Sequence, residues 1–318
     1  MSEPLRVGVI GVGRIGVHHT RIAGNTPTVR LVGVAERDAS RRRWVEDRLH
    51  VPAVTDYREL LPQVDAVVVA VPPTQHAAVT CACLESGKHC LVEKPFGVSV
   101  EDGLHMIETA ARAGVVLQVG YVEQFNPAVA ALLQAVSGQP VRVVEMQRLS
   151  PYEERDWDID VVLDLMVHDL SLLLGLTQSP VAEVQAIGKS YQSRYVDYAS
   201  TNLRFADGTL ARCSASRVTP LKVREVAVTT SDSFLRLDGI ERKVVASRHT
   251  TTTREDVAYR QQTLSETLWI PYVEPLQAQF DDFVACIRKG NPPRVDGRHG
   301  LEVLNLVRRI QENIAAAR

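Results

Sequence analysis

The feature that most constrains the fold is a glycine-rich turn near the start of the chain. The apolar run Val7–Ile10 is typical of a buried strand, and it ends at Gly11–Gly16, which has the pattern G-x-G-x-x-G. In such a turn the first glycine permits the tight bend, the second lets the backbone approach a pyrophosphate, and the third lets the next helix pack closely. Free N–H groups at the start of that helix face the phosphate. The turn therefore predicts a dinucleotide-binding loop with the residues Gly11, Gly13, Arg14, Ile15 and Gly16.

Glu36 supports this interpretation. A second apolar run, Val29–Glu36, ends in this acid 20 residues after Gly16, where a carboxylate that binds the ribose is expected. The carboxylate would accept a hydrogen bond from the 2′-hydroxyl of NAD and repel the 2′-phosphate of NADP. Arg37 follows directly and softens that repulsion. The sequence therefore favours NAD over NADP as the cofactor.

Apolar runs and helical stretches alternate as far as Gly120. The further strand candidates are Asp65–Val71, His89–Val92 and Val115–Val119. This alternation predicts right-handed crossovers and an α/β fold with a doubly wound parallel sheet of Rossmann type. Ligands bind such sheets beyond the carboxyl ends of the strands. The crevice there is predicted to join the glycine turn to Glu36, Thr74, His76, Glu93 and Lys94, with Thr74 and His76 on the nicotinamide side.

The pattern changes near Tyr121. The strands beyond it are longer and alternate apolar with polar residues, and Asp207-Gly208 between two such runs is typical of a hairpin. We predict an α+β second domain with a large, open, mainly antiparallel sheet and helices on one face. The predicted domains are 1–121 and 122–318. Residues 249–262 are polar and rich in threonine, and we expect an exposed loop or an edge strand there.

Composition and charge exclude several classes of partner. The net charge of −2 gives no reason to expect nucleic acid or an anionic membrane. We find no apolar run long enough to span a bilayer and no signal peptide, so we expect a cytoplasmic protein. The five cysteines are odd in number and form no C-x-x-C, which favours reduced thiols. Cys81, Cys83, His89 and Cys90 lie in apolar surroundings at a spacing unsuited to a metal, so we predict packing and no metal site.

The segment Val161–Leu174 carries the first candidate catalytic residues. It is apolar nearly all round, as a buried helix is, and Asp164, His168 and Ser171 follow at positions i, i+4 and i+7 of one stripe. A carboxylate one turn from an imidazole fixes its tautomer and raises its basicity, and hydride transfer from an alcohol needs a base for the hydroxyl proton. The residues alone leave two interpretations equally open, an acid–base device and an Asp–His pair that satisfies itself in the core.

Lys94 is the second candidate. It follows a buried strand and precedes Pro95, whose ring fixes a turn. A lysine at the carboxyl end of a strand in an open α/β sheet points towards the ligand crevice. There its ammonium can polarise a substrate hydroxyl or pass a proton. The alternative is a surface lysine that only ends a strand.

Together these motifs resemble the Gfo/Idh/MocA oxidoreductases. The glycine turn, Glu93–Pro95, Gly120–Pro127 and Asp164-x-x-x-His168 occur in the order and spacing of that family over essentially the whole chain. In the family, the lysine of E-K-P and the aspartate and histidine of D-x-x-x-H surround the reacting carbon of a sugar or polyol. The resemblance therefore implies that Lys94, Asp164 and His168 are catalytic. The implied substrate contacts are Tyr121, Glu123, Asn126, Asp164 and His168.

A narrower resemblance is to bacterial UDP-N-acetylglucosamine 3-dehydrogenases of the same family. It rests on Arg148–Tyr152, Asp158–Asp169 and Ala215–Arg217. Those enzymes oxidise the glucosamine 3-hydroxyl to a ketone, which an aminotransferase converts to a 3-amino sugar for lipid A. One position departs from the branch, because Gln124 stands where its members commonly carry an arginine. The family also implies a homodimer or homotetramer formed through the second sheet.

A nucleotide sugar carries a diphosphate, so the second domain is expected to offer cations. The available ones are Arg148, Arg155, Arg217, Lys222 and Arg224. Two other functions stay open. One is oxidation or reduction of another substrate, such as inositol or a nucleotide keto-sugar, and the other is a regulator that binds NAD without catalysis. The chain keeps Lys94, Asp164 and His168, which a regulator would not need.

Overall fold

The structure is a computed structural model and describes residues 3–154, 158–254 and 257–317, without the side chains of 249–262. The backbone divides into two units, of which the first is Met1–Val122 with Glu274–Asn305 and the second is Glu123–Val273 with Leu306–Arg318. Among the described helices, none is both long enough and apolar enough to cross a bilayer.

A six-stranded parallel sheet forms the centre of the first unit. Its strands are β1 Leu5–Ile10, β2 Val29–Ala35, β3 Ala53–Val54, β4 Ala66–Val69, β5 His89–Glu93 and β6 Leu117–Gly120. The helices between them are α1 Gly16–Asn25, α2 Ala39–Leu49, α3 His76–Glu85 and α4 Val100–Ala113. The strand order β3-β2-β1-β4-β5-β6 reverses between β1 and β4, and it confirms the predicted doubly wound sheet.

Local sequence explains these elements. All four residues of β4 are buried, as expected for a run of valines in a parallel sheet with both faces covered. The α4 helix begins at a capping box, in which the Ser99 hydroxyl accepts the Asp102 N–H and the Asp102 carboxylate accepts the Ser99 N–H. It ends at Gly114, whose φ of +67° is a left-handed conformation that glycine adopts at little cost.

An eight-stranded sheet forms the centre of the second unit. Its strands are β7 Val141–Leu149, β8 Val181–Lys189, β9 Tyr198–Phe205, β10 Leu210–Ser216, β11 Val223–Thr230, β12 Ser233–Asp238, β13 Lys243–Arg254 and β14 Val257–Thr267. The order is β14-β13-β12-β11-β7-β10-β9-β8, and all neighbours are antiparallel except β7 and β10. The helices of this unit include α5 Pro127–Val136 and α6 Val167–Thr177.

This second sheet confirms the predicted α+β architecture. Burial alternates along β12, so one face of the strand is covered and the other is exposed. Of the polar segment 249–262, the described residues belong to β13 and to the edge strand β14.

The last two helices are α7 Pro275–Lys289 and α8 Gly297–Ala316. The α7 helix belongs to the first unit, whereas the prediction placed it in a second domain of residues 122–318. Its buried residues Leu276, Phe280 and Phe283 join the core that contains β1. The sequence shows that this helix has an apolar face but not which surface covers it, and the predicted boundary therefore missed the return of residues 274–305.

Candidate active site

The glycine turn leaves room for a pyrophosphate. Gly11 has a φ of +87°, and a Cβ added to it would lie 2.6 Å from the Ala70 carbonyl oxygen, so only glycine fits. A Cβ on Gly16 would lie 2.0 Å from the Gly11 oxygen, which shows how closely α1 starts against the turn. A Cβ on Gly13 would meet nothing within 4 Å. Gly13 therefore borders open space, where the pattern predicts the pyrophosphate.

Glu36 lies beside this turn, directly after β2. Its Oε2 accepts a hydrogen bond from the Val12 N–H at 2.8 Å, and its Oε1 accepts one from the Asp38 N–H at 3.0 Å. The Arg41 guanidinium is 4.0 Å from Oε2. Two backbone donors therefore fix the carboxylate against the turn, while its remaining lone pairs can accept ribose hydroxyls.

An open cavity of about 370 Å³ adjoins the glycine turn and falls within the size range of ligand pockets. Its lining consists of Val12, Gly13, Arg14, Val17, Arg41 and Trp44. Arg41 and Trp44 lie about one turn apart on α2, and neither was predicted as a cofactor contact because an arginine-rich helix face is usually solvated. The available signal was the tryptophan on that face, since an aromatic ring offers a surface on which a base can stack.

Glu36→Ala is expected to weaken NAD binding about 10- to 100-fold, the effect of losing hydrogen bonds to a charged acceptor. NADP, whose 2′-phosphate the carboxylate repels, should bind the variant at least as well as the parent. Quenching of protein fluorescence, to which Trp44 beside the cavity contributes, measures both affinities. Glu46→Ala, which removes an exposed carboxylate on α2, is the matched control and should change neither. Equal weakening for both cofactors would contradict the assignment of Glu36 to the ribose.

The turns after β4 and β5 are joined through His76. The imidazole is buried, with Nδ1 2.7 Å from the Pro95 carbonyl oxygen and Nε2 2.9 Å from that of Val71. Burial lowers the pKa of His76, and the two carbonyl contacts oppose this effect because each favours an N–H on the ring. Thr74 lies in the short turn just before it and is exposed. His76 therefore connects the turn after β4 to the turn after β5. The contacts of Thr74 and His76 with nicotinamide stay predictions.

The backbone of Lys94 is held by its neighbour Glu93. The Lys94–Pro95 bond is cis, and the Lys94 N–H donates to Glu93 Oε2 at 3.2 Å. The other carboxylate oxygen lies 2.7 Å from His19 Nε2, on α1. Glu93 and His19 are buried, whereas Lys94 is half-buried. His19 was not among the predicted site residues. Its place three residues after Gly16, in a helix that packs on the sheet, was the available signal.

Asp164 and His168 lie on a helical segment that differs from the regular helix predicted. Residues Val162–Met166 form a π-helical turn, which α6 follows directly. The Asp160 carboxylate starts this turn by accepting two backbone N–H groups, each at 3.0 Å. Asp164 is buried and His168 is half-buried. A π turn holds one extra residue, so the angular offset between Asp164 and His168 departs from a regular i, i+4 stripe. Their pairing stays a prediction.

Arg148 is the centre of a buried charge cluster. Its Nε donates to Asp169 Oδ1 at 2.9 Å, and its terminal nitrogen donates to Glu123 Oε1 at 3.2 Å. The Asn126 side-chain amide also donates to Glu123 Oε2, and the Arg224 guanidinium lies 3.8 Å from Glu123 Oε1. Burial raises the pKa of Glu123, but the two guanidinium groups and the amide outweigh it, so that pKa lies below its usual value. Glu123 and Asn126 are thus brought together, and Arg148 faces carboxylates instead of solvent.

Arg217 is also buried, with 1% of its surface exposed. Its Nε donates to Asp197 Oδ1 at 2.9 Å. Arg217 therefore forms an ion pair with an acid of its own unit. Its guanidinium is buried and is not exposed to the diphosphate of a substrate. Of the other cations considered, Lys222 is exposed, Arg224 is partly exposed, and Arg155 lies outside the described residues.

Tyr121 and Gln124 occupy interior positions. Tyr121 is fully buried, and its ring meets the His299 ring edge-on at 6.0 Å between centroids. Gln124 is 7% exposed, and its Nε2 donates to the backbone oxygen of Ser171 at 2.9 Å and to its hydroxyl at 3.1 Å. At the position where the branch commonly carries an arginine, this chain therefore has a glutamine that packs against α6. The substrate contact of Tyr121 stays a prediction.

All five cysteines are buried free thiols. Burial raises the pKa of Cys90 and of Cys213, which makes both poor nucleophiles. Within the part of the chain that the structure describes, no group of three or more His, Cys, Asp or Glu side chains is placed to hold a metal ion.

Two family models match the chain. One is described as "Oxidoreductase family, NAD-binding Rossmann fold" and matches residues 5–121. The other is described as "GFO/IDH/MocA C-terminal domain" and matches residues 132–235. Each match falls on one of the two sheets described above.

Similar proteins extend over nearly the whole chain. A UDP-N-acetylglucosamine 3-dehydrogenase of Acidithiobacillus ferrooxidans is 33% identical over 301 residues, 94% of each chain. A solved structure of that enzyme from the same organism has a TM-score of 0.90 at 30% identity and covers 99% of both chains. A myo-inositol 2-dehydrogenase of Thermotoga maritima is 26% identical over 321 residues, 95% of this chain and 94% of the other.

Proposed function

The chain belongs to the Gfo/Idh/MocA oxidoreductase family, and from that premise we propose that it oxidises the 3-hydroxyl of UDP-N-acetylglucosamine to a ketone. Family membership makes it an NAD-dependent oxidoreductase that acts on a CH–OH group. The observation that carries the substrate is the 33% identity to the A. ferrooxidans enzyme over 94% of both chains, against 26% for the inositol enzyme. Gln124 still departs from the arginine that the branch commonly carries, and in this chain it is buried and donates a hydrogen bond to Ser171.

The proposed chemistry uses three side chains. Bound NAD supplies the hydride acceptor. Lys94 polarises the substrate oxygen with its ammonium, and His168 accepts the hydroxyl proton as the hydride leaves the carbon. Asp164 orients the imidazole of His168. Lys94 is the second candidate for the base, because a lysine amine also carries a proton.

The substrate contacts we assign are Tyr121, Glu123 and Asn126. The last two are already held together, because Asn126 Nδ2 donates to Glu123 Oε2 at 3.1 Å and Arg148 fixes the same carboxylate. A carboxylate and an amide in a fixed arrangement suit the hydroxyl groups of a sugar, which both donate and accept.

The ketone product defines what must follow. A 3-keto sugar is a substrate for transamination, so we place an aminotransferase next, as in the synthesis of the 3-amino sugar of lipid A. A cytoplasmic location fits five cysteines that are all free thiols. A homodimer or homotetramer would cover exposed apolar side chains on the strands of the second sheet, which are Ile187, Leu210, Phe234 and Leu264.

The absorbance of reduced nicotinamide tests the substrate. The purified chain and NAD are mixed with UDP-N-acetylglucosamine, and a 3-keto-sugar aminotransferase with its amino donor removes the ketone. Free N-acetylglucosamine is the matched control for the nucleotide, and myo-inositol represents the other relatives. We expect an increase confined to the nucleotide sugar. Turnover of inositol alone would keep the family and contradict the substrate, and NAD binding without any turnover would favour a regulator.

A further inference from the structure

A buried acid–imidazole pair lies next to Lys94. The Nε2 atom of His19 is 2.7 Å from Glu93 Oε1, and the exposed fractions of the two residues are 0% and 6%. A carboxylate oxygen accepts hydrogen bonds, so Nε2 donates. The Nδ1 atom of His19 has no hydrogen-bond partner among the described residues. Glu93 is therefore the group that orients this ring.

The Glu93 carboxylate is enclosed on its remaining sides. Its Oε2 accepts the Lys94 N–H at 3.2 Å. On the neighbouring strand β6, a Cβ added to Gly120 would lie 3.0 Å from the Glu93 Cα and 3.1 Å from Oε1, so the strand backbone lies directly against the acid. A buried carboxylate in so small a space keeps one orientation only while its hydrogen-bond donors are in place.

We infer that His19 is a positioning residue for Lys94. Its imidazole holds the Glu93 carboxylate, and the carboxylate holds the backbone from which the Lys94 side chain starts. Because α1 begins at Gly16, the pair also joins the helix of the glycine turn to the turn that carries Lys94. The inference rests on the proposed role of Lys94 in the dehydrogenase reaction.

Three variants of adjacent histidines on α1 provide the test. The amide nitrogen of His19→Gln extends about as far as Nε2 and can donate to Glu93, whereas the amide of His19→Asn ends near the position of Nδ1. His18→Asn is the matched control, since His18 is exposed. We expect kcat to fall about 10- to 100-fold in His19→Asn, the cost of a small misplacement of a catalytic group. The KM for NAD should change less than about threefold. His19→Gln should restore most of kcat, and His18→Asn should leave it unchanged.

A second measurement needs no substrate. An amine-reactive reagent labels Lys94. Mass spectrometry compares the labelling rate of Lys94 with that of Lys88, which lies directly before the first residue of β5. In His19→Asn the carboxylate loses its donor and turns to the Lys94 ammonium, so labelling of Lys94 should slow about threefold or more. His19→Gln should keep the parent rate. Unchanged labelling in folded His19→Asn overturns the inference.

Glu93→Gln, which keeps the shape of the acid, completes the design. Glu93→Gln alone should change the labelling rate of Lys94. Adding His19→Asn to Glu93→Gln should have little further effect on that rate, because both changes remove the same interaction. Additive effects overturn the inference. Where circular dichroism shows that His19→Asn is unfolded, Glu93→Gln alone decides, and unchanged Lys94 labelling in it overturns the inference. A parent protein that oxidises no sugar refutes the proposed function, while the labelling still decides the role of His19.

Discussion

Lys94→Ala is expected to lower kcat for UDP-N-acetylglucosamine by about 10²- to 10⁴-fold, the range over which positioned acid–base groups contribute. The ammonium is proposed to stabilise negative charge on the substrate oxygen as the hydride leaves, so its loss acts on the transition state. NAD affinity should change little, because the pyrophosphate and the ribose of the cofactor are assigned to the glycine turn and Glu36. Steady-state formation of NADH gives kcat, and fluorescence quenching gives NAD affinity.

Two further lysine variants make the result specific. Lys88→Ala removes the lysine before β5 and should leave kcat unchanged. Lys94→Arg keeps the positive charge but cannot release a proton at neutral pH. Substantial activity in Lys94→Arg indicates that the lysine polarises the oxygen, and activity as low as that of Lys94→Ala indicates that it carries the proton. Near-normal kcat in Lys94→Ala would remove the lysine from the mechanism.

Both sheets were predictable because their signals are local. Fully apolar runs such as β4 predict a strand covered on both faces, and alternating runs around Asp207-Gly208 predict an antiparallel hairpin. The glycine turn was predictable for the same reason. The position of α7 was not, because an amphipathic helix shows which of its faces is buried but not against what.

The burial of two arginines shows where sequence reasoning ends in the second unit. Arginine is usually a surface residue, and only a partner can make its burial tolerable. Arg148 finds its partner Asp169 at a separation of 21 residues, and Arg217 finds Asp197 at 20. Neither separation corresponds to a period of a helix or strand, so no sequence pattern predicts these two ion pairs. The sequence does not predict the π turn around Asp164 either, because one extra residue in a turn leaves the run of apolar residues unchanged.

The second large effect is expected on stability, in the variant Asp197→Ala. The free energy of unfolding of the second unit should fall by about 3–5 kcal/mol, the cost of removing one partner of a buried ion pair. Asp197 is fully buried and contacts Arg217, and its Oδ2 accepts three backbone N–H groups, from residues 191–193, at 2.8–2.9 Å. Urea unfolding followed by circular dichroism measures the change, which corresponds to a fall in Tm of roughly 10 °C.

An exposed ion pair on the same sheet is the matched control. Glu183→Ala breaks the contact between Glu183 and Arg204 and should shift the unfolding midpoint very little, because both side chains are solvated. Replacing both buried partners, as Asp197→Leu with Arg217→Met, should destabilise less than the sum of the two single changes. Equal costs for Asp197→Ala and Glu183→Ala would contradict the importance of the buried pair.

The dependence of stability on pH provides an independent check of the role of Asp197. Burial alone raises the pKa of Asp197, but the Ser193 hydroxyl and the three backbone N–H groups outweigh it, so the pKa lies well below its usual range. A carboxyl whose pKa is lower in the folded state stabilises the protein fully above its unfolded pKa of about 3.9, and this contribution is lost as the pH falls below that value. The parent should therefore lose more stability than Asp197→Ala between neutral pH and about pH 3.

The same network connects stability with the proposed chemistry. Arg217 donates from its terminal nitrogen to the carbonyl oxygen of Ile159 at 3.0 Å, and the next residue, Asp160, starts the π turn that carries Asp164. Asp197→Ala should therefore lower kcat even at temperatures where the variant is fully folded. Its NAD affinity should equal that of the parent, because the assigned cofactor residues belong to the first unit. An unchanged kcat in the folded variant would separate this network from catalysis and leave it a purely structural element of the second unit.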